Sequence, residues 1–163
     1  MKLNIIKQTL LILLLTISCI DTQAQGIDFE KGSWSNVKEK ATKTNKLIFM
    51  DIYTTWCGPC KTMDKNVFST KEIGSFFNKN FISYKIDAEK GEGITLNKKY
   101  GVSSYPTVLI IDANGQLVLK GNFMRVKTFL EFGERALNTE KETKFFNATY
   151  SNGNRSPEFI LKY

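Results

Sequence analysis

Seven consecutive residues, Leu47 to Tyr53 (LIFMDIY), form a near-continuous apolar run between polar neighbours. A run of this length predicts a strand covered on both faces, at the centre of a sheet that carries helices above and below. Asp51 is the exception inside it, a carboxylate where an apolar side chain is expected. Four residues after the run stands Cys57-Gly58-Pro59-Cys60, followed by Lys61.

The surrounding pattern supplies the other layers. Ser33 reads as the N-cap of a helix from Trp34 to about Asn45, with Trp34, Val37 and Ala41 at helical spacing. Cys57 to Phe68 and Thr70 to Asn78 read as helices, Phe81 to Asp87 as a strand, and Ile94 to Tyr100 as a helix stopped by Gly101. Thr107–Asp112 and Gln116–Lys120 read as strands joined through Asn114-Gly115, a strong hairpin signal. A helix from about Val126 to Leu137 closes the order. The expected class is α/β: a central mixed β-sheet, with a parallel βαβ start and an antiparallel hairpin finish, flanked by helices on both faces.

Two segments lie outside that domain, which spans residues 25–138. Met1 to Ala24 reads as a secretory signal peptide, with Lys2 and Lys7 ahead of the apolar Leu10–Ile17 and small residues at Thr22 and Ala24 before cleavage. The apolar stretch is short for a membrane span. A rival reading makes Cys19 a lipidated cysteine, since Thr16-Ile17-Ser18-Cys19 resembles a weak lipobox. The expected location is periplasmic or secreted, with a lipid anchor at Cys19 as the alternative. Residues 139–163 read as a polar linker, loop-like over Asn147–Asn154, with a short helix starting at Ser156-Pro157-Glu158. That segment either docks on the domain or is cut short of a further helical region.

Composition narrows the chemistry. The 163 residues contain no histidine, which excludes histidine triads and histidine-ligated metals. The formal charge is +7, but the lysines are spread along the chain and no basic-aromatic nucleic-acid module is present. Beyond the leader, Cys57 and Cys60 are the only cysteines, too few for a four-ligand zinc site. A pair so close in sequence closes no long loop, so export with one such pair points to redox chemistry rather than stapling.

The spacing gives each cysteine a job. Two cysteines flanking two residues at a helix start can bridge in a tight ring. The first thiol then faces free backbone N–H groups and the positive end of the helix dipole, which favour a thiolate, and Lys61 adds positive charge. The second thiol, one turn inward, is better placed to resolve a mixed disulfide than to start one. Pro59 is tolerated because the first turn has unpaired donors anyway, and Trp56 sets a flat surface beside the sulfur.

Trp56-Cys57-Gly58-Pro59-Cys60-Lys61 behind an apolar strand resembles the thioredoxin superfamily, over roughly Trp34 to Leu137. Three further features fall where that family has them. Asp51, six residues before Cys57, matches a buried aspartate; Tyr105-Pro106-Thr107 resembles the loop whose proline is cis and faces the disulfide; Gly121 ends the last strand. Thr54-Thr55-Trp56-Cys57 looks like the exported thioredoxin-like reductases. The resemblance implies a thioredoxin-like fold and a dithiol/disulfide exchange on protein substrates, with reduction favoured. It implies Cys57 as nucleophile, Cys60 as resolving thiol, and Asp51, raised in pKa by burial, as acceptor of the Cys60 proton. Trp56, Gly58, Pro59, Tyr105 and Pro106 would form the substrate surface, with the Tyr105 backbone pairing an extended peptide. No cofactor or metal is implied. The expected partners of a monomer are disulfide-containing proteins and a membrane or exported thiol electron donor. An oxidase or isomerase of the same fold, or a non-catalytic peptide-binding module, are the alternatives. One departure concerns the lysine that the family often sets near the aspartate: aligned on Asp87 that place is Ser83, with Lys85 two residues on along the same face.

Overall fold

The computed structural model of the chain describes residues 26–153, 155–157 and 160. The leader Met1–Ala24 and Cys19 lie outside the described residues. Strand β1 (Phe29–Glu30) is followed by α1 (Trp34–Thr44), β2 (Leu47–Tyr53), α2 (Gly58–Met63) with a π-helical turn (Asp64–Phe68), and α3 (Lys71–Asn80). Then come β3 (Phe81–Asp87), α4 (Glu92–Lys99), β4 (Thr107–Ile111), β5 (Leu117–Gly121) and α5 (Val126–Ser151).

The five strands form one sheet in the order β1-β3-β2-β4-β5, so β2 is central as its apolar run requires. It pairs parallel with β3, Asp51 opposite Lys85, and antiparallel with β4, Asp51 opposite Val108. The short edge strand β1, two residues long, adds parallel to β3 with Phe29 opposite Ser83.

Side chains alternate across the pleat, so the two faces of β2 meet different helices. Ile48, Met50 and Ile52 pack with Trp34, Val37 and Ala41 of α1 and Leu96 of α4. Leu47 and Phe49 pack with Met63, Val67 and Phe68 after the cysteines, Ile73 and Phe77 of α3, and Phe129 and Phe132 of α5. Phe49, Phe77 and Phe129 form the centre of that second core, with ring centroids 4.4–5.3 Å apart. Asp51 continues the second face by parity, which turns its carboxylate to the side that carries α2.

Two elements differ from expectation. The stretch from Cys57 to Phe68 is helical but not uniformly α: a wide turn begins at Asp64, where the Ser69 N–H donates to the Asp64 carbonyl. The final helix runs to Ser151, so residues 139–151 are helical instead of linker, and the expected loop at Asn147 starts later. Its buried residues end at Ala136, which is why core periodicity stops there. Beyond that point no glycine or proline interrupts it before Gly153, and i,i+4 pairs such as Glu140–Lys144 at 2.7 Å support it. Of the segment near Ser156, Ile160 donates its N–H to the Ser156 carbonyl.

The join between β3 and α4 is tight. A Cβ built on Gly93 would lie 1.8 Å from the Asp87 carbonyl oxygen. Gly93→Ala is therefore expected to destabilise the fold by about 1–3 kcal/mol, read as a lower urea midpoint at unchanged m-value.

Candidate active site

Cys57 and Cys60 are joined by a disulfide, with their Cα atoms 5.3 Å apart. The strand β2 delivers the chain through Thr54, whose carbonyl accepts the Cys57 N–H at 3.2 Å. Cys57 is the N-cap of α2: its backbone is extended and its Sγ accepts the Cys60 N–H at 3.0 Å. A sulfur in that position takes up one of the helix's unpaired donors, the physical basis for stabilising a thiolate there. Pro59 occupies the first turn, where no N–H is needed. Both cysteines are 3% exposed, while Gly58 and Pro59 above them are open to solvent.

Trp56 is 64% exposed and held from two sides. Its indole N–H donates to both Glu89 carboxylate oxygens at 3.1 Å, and its ring meets Tyr105 edge-on at 5.9 Å. The Tyr105 hydroxyl donates in turn to Asn97 of α4 at 3.1 Å. The Tyr105–Pro106 peptide bond is cis, as the resemblance implied, and leads directly into β4. Pro59, Thr62, Tyr105, Pro106, Asn122 and the half-exposed Phe123 line a groove of about 580 Å³ beside the disulfide helix.

Asp51 is 1% exposed. Burial pushes its carboxyl up to about 6, against the opposing pull of Lys85. Its Oδ2 accepts from the Lys85 ammonium at 2.8 Å, and Oδ1 has no hydrogen-bond partner among the described residues. Lys85 also pairs with Asp64 of the π-helical turn. Its ammonium lies 4.7 Å from the Tyr53 ring centroid, with the Phe29 and Phe68 rings at 5.7 and 5.6 Å. Burial pulls that ammonium down, but the Asp51 and Asp64 carboxylates outweigh it and leave Lys85 above its usual value. Both groups therefore move up: burial dominates at Asp51, far the more buried of the two, whereas at Lys85 the two carboxylates together overcome it.

Most of the residues singled out in the sequence come together here: Cys57, Gly58, Pro59 and Cys60 open α2, Trp56 precedes it, and Tyr105 and Pro106 flank the groove. Asp51 sits on β2, on the face that carries α2, paired with Lys85. Register sets Lys85 directly opposite Asp51, while Ser83, the place aligned with the family's lysine, sits opposite Phe49. Asp64, Glu89, Asn97 and Phe123 are additions that sequence reasoning did not single out as site residues.

A thioredoxin-like family profile matches residues 28–113, from the edge of β1 to the hairpin turn. Thioredoxin-1 of Drosophila melanogaster is 38% identical over 73 residues, which are 45% of this chain and 64% of the fly protein. The chain thus spans less than two thirds of that relative's length. The thiol:disulfide interchange protein DsbD of Yersinia pestis is 28% identical over 105 residues, 64% of this chain and 18% of that much longer protein. A solution structure of a candidate disulphide-isomerase from Bacteroides thetaiotaomicron superposes with a TM-score of 0.63 at 39% identity, covering 71% of this chain and 97% of that one.

Proposed function

Because this chain belongs to the thioredoxin-like family, we infer that it is an exported thiol–disulfide oxidoreductase that reduces protein disulfides through Cys57 and Cys60. One observation carries the reading: the disulfide caps the start of α2, directly beside an open groove that ends at the cis Tyr105–Pro106 bond.

In the reduced protein the Cys57 thiolate attacks one sulfur of a substrate disulfide. A Cys57–substrate bond forms, and the other substrate sulfur leaves as a thiolate. Cys60 passes its proton to Asp51 and attacks Cys57, which closes the Cys57–Cys60 bond and frees the second substrate thiolate. Two electrons have moved from the dithiol to the substrate. A membrane or exported thiol donor restores the dithiol, and no cofactor takes part. Trp56, Gly58 and Pro59 form one wall of the substrate surface, and Tyr105 and Pro106 offer backbone for strand addition.

Insulin reduction driven by dithiothreitol tests the reading. Wild-type protein is expected to precipitate the insulin B chain well ahead of dithiothreitol alone; no acceleration would sink it. Phe123→Ala should raise KM for insulin severalfold by stripping an apolar wall from the groove, while the rate on a small aromatic disulfide stays the same.

The likeness to the Bacteroides thetaiotaomicron protein favours a second reading, disulfide isomerisation by the same cysteines. Recovery of activity from scrambled ribonuclease, in excess of what glutathione buffer gives, would support it.

A further inference from the structure

The Lys85 ammonium is shared between two carboxylates of very different exposure. Asp51 is buried, whereas the Asp64 side chain is 42% exposed and that of Lys85 21%. The backbone explains why Asp64 reaches inward. It lies one turn after Cys60, and its N–H donates to the Cys60 and Lys61 carbonyls. The π-helical turn that starts there rotates the following residues, so Val67 and Phe68 enter the core while Asp64 stays over Lys85. A cavity of about 350 Å³, lined by Asp64, Lys85, Phe29 and Phe68, opens this ion pair on the side away from the substrate groove.

From this geometry we propose that Asp64 is a positioning residue for the resolving step. By taking part of the Lys85 ammonium it weakens that cation's hold on Asp51, and so sets how readily Asp51 accepts the Cys60 proton. The proposal rests on the exchange chemistry given above. Without Asp64, Lys85 would pair with Asp51 alone, and a like charge near Asp51 would also vanish. Both changes favour the Asp51 carboxylate and make it a weaker base. The other titratable groups on this side are Cys57 and Cys60 of α2, Tyr53 beside Lys85, and Asp87 two residues along β3. On the neighbouring β4 the residue opposite Asp51 is Val108, which does not titrate.

The test follows the Asp51 carboxyl carbon by NMR against pH in the oxidised protein, where neither cysteine titrates. Wild type should show a midpoint near 6. Asp64→Asn should lower it by about one pH unit, Asp64→Glu should restore most of the shift, and Lys85→Met should raise it. Stopped-flow resolution of a preformed Cys57 mixed disulfide should show its acid limb displaced in the same direction in Asp64→Asn. An unmoved Asp51 midpoint in Asp64→Asn overturns the proposal, as does a midpoint that moves while the acid limb stays. The carboxyl titration is readable whether or not the protein reduces insulin, so failure of the exchange reading shows separately, as inactive wild-type protein.

Discussion

Cys60→Ser protein is expected to lose insulin turnover down to the rate of dithiothreitol alone, and to accumulate covalent adducts with disulfide substrates. The geometry separates the two sulfurs by role. Cys57 caps α2 and holds the backbone donor, while Cys60, equally buried, lies one turn further into the helix. With Cys57 intact the first attack proceeds, and with serine at 60 nothing in the site can expel the bound partner. Non-reducing gels should show adducts that collapse on adding thiol, and Cys57→Ser should show none. Adducts of equal yield in the two variants would mean that the roles are not divided this way. Applied to an exported fraction, the same variant would identify the substrates.

Asp51→Asn is expected to stabilise the protein and slow it. Burial holds the Asp51 carboxyl at about 6 in the folded chain, above the roughly 3.9 of an unfolded one. Below both values the carboxyl is protonated in either state and imposes no penalty. As pH rises through this window the unfolded chain releases its proton first, so stability is lost, reaching a deficit of about 3 kcal/mol above pH 6. Asparagine does not titrate and avoids that deficit. Lys85 is not orphaned by the change, because Asp64 still pairs with it. At pH 7.5 the variant should melt about 10 °C above wild type, and the gap should close near pH 4. Resolution at pH 7 should slow by about 100-fold with the general base removed. A variant that melts below wild type at pH 7.5 would show that the Asp51–Lys85 pair is a net stabiliser.

Much of this was legible in the sequence because the signals were local. The apolar run placed β2, the Asn114-Gly115 pair placed the hairpin, and Cys57-Gly58-Pro59-Cys60 placed a helix start against it. What escaped depends on register and on exposed propensity. Lys85 faces Asp51 because β3 pairs in parallel from Leu47–Phe81 onward, an alignment that no residue type announces. Asp64 turns inward only because the helix widens there. Two-residue β1 has no period to detect, and its place comes from pairing with β3. The far half of α5 buries no core face, so apolar spacing had nothing to report beyond Ala136. Phe123 reads as loop, and only the fold brings it beside Pro106.

The direction of exchange is the centre of the account, and the reduction potential of the Cys57–Cys60 pair tests it most directly. Equilibrating the protein in glutathione buffers of known ratio, with the Cys57 and Cys60 thiols quantified by alkylation and mass, gives that potential. A reductase with Gly-Pro between its cysteines should lie near thioredoxin, about −270 mV. A value near −120 mV, that of a strong oxidant, would contradict net reduction.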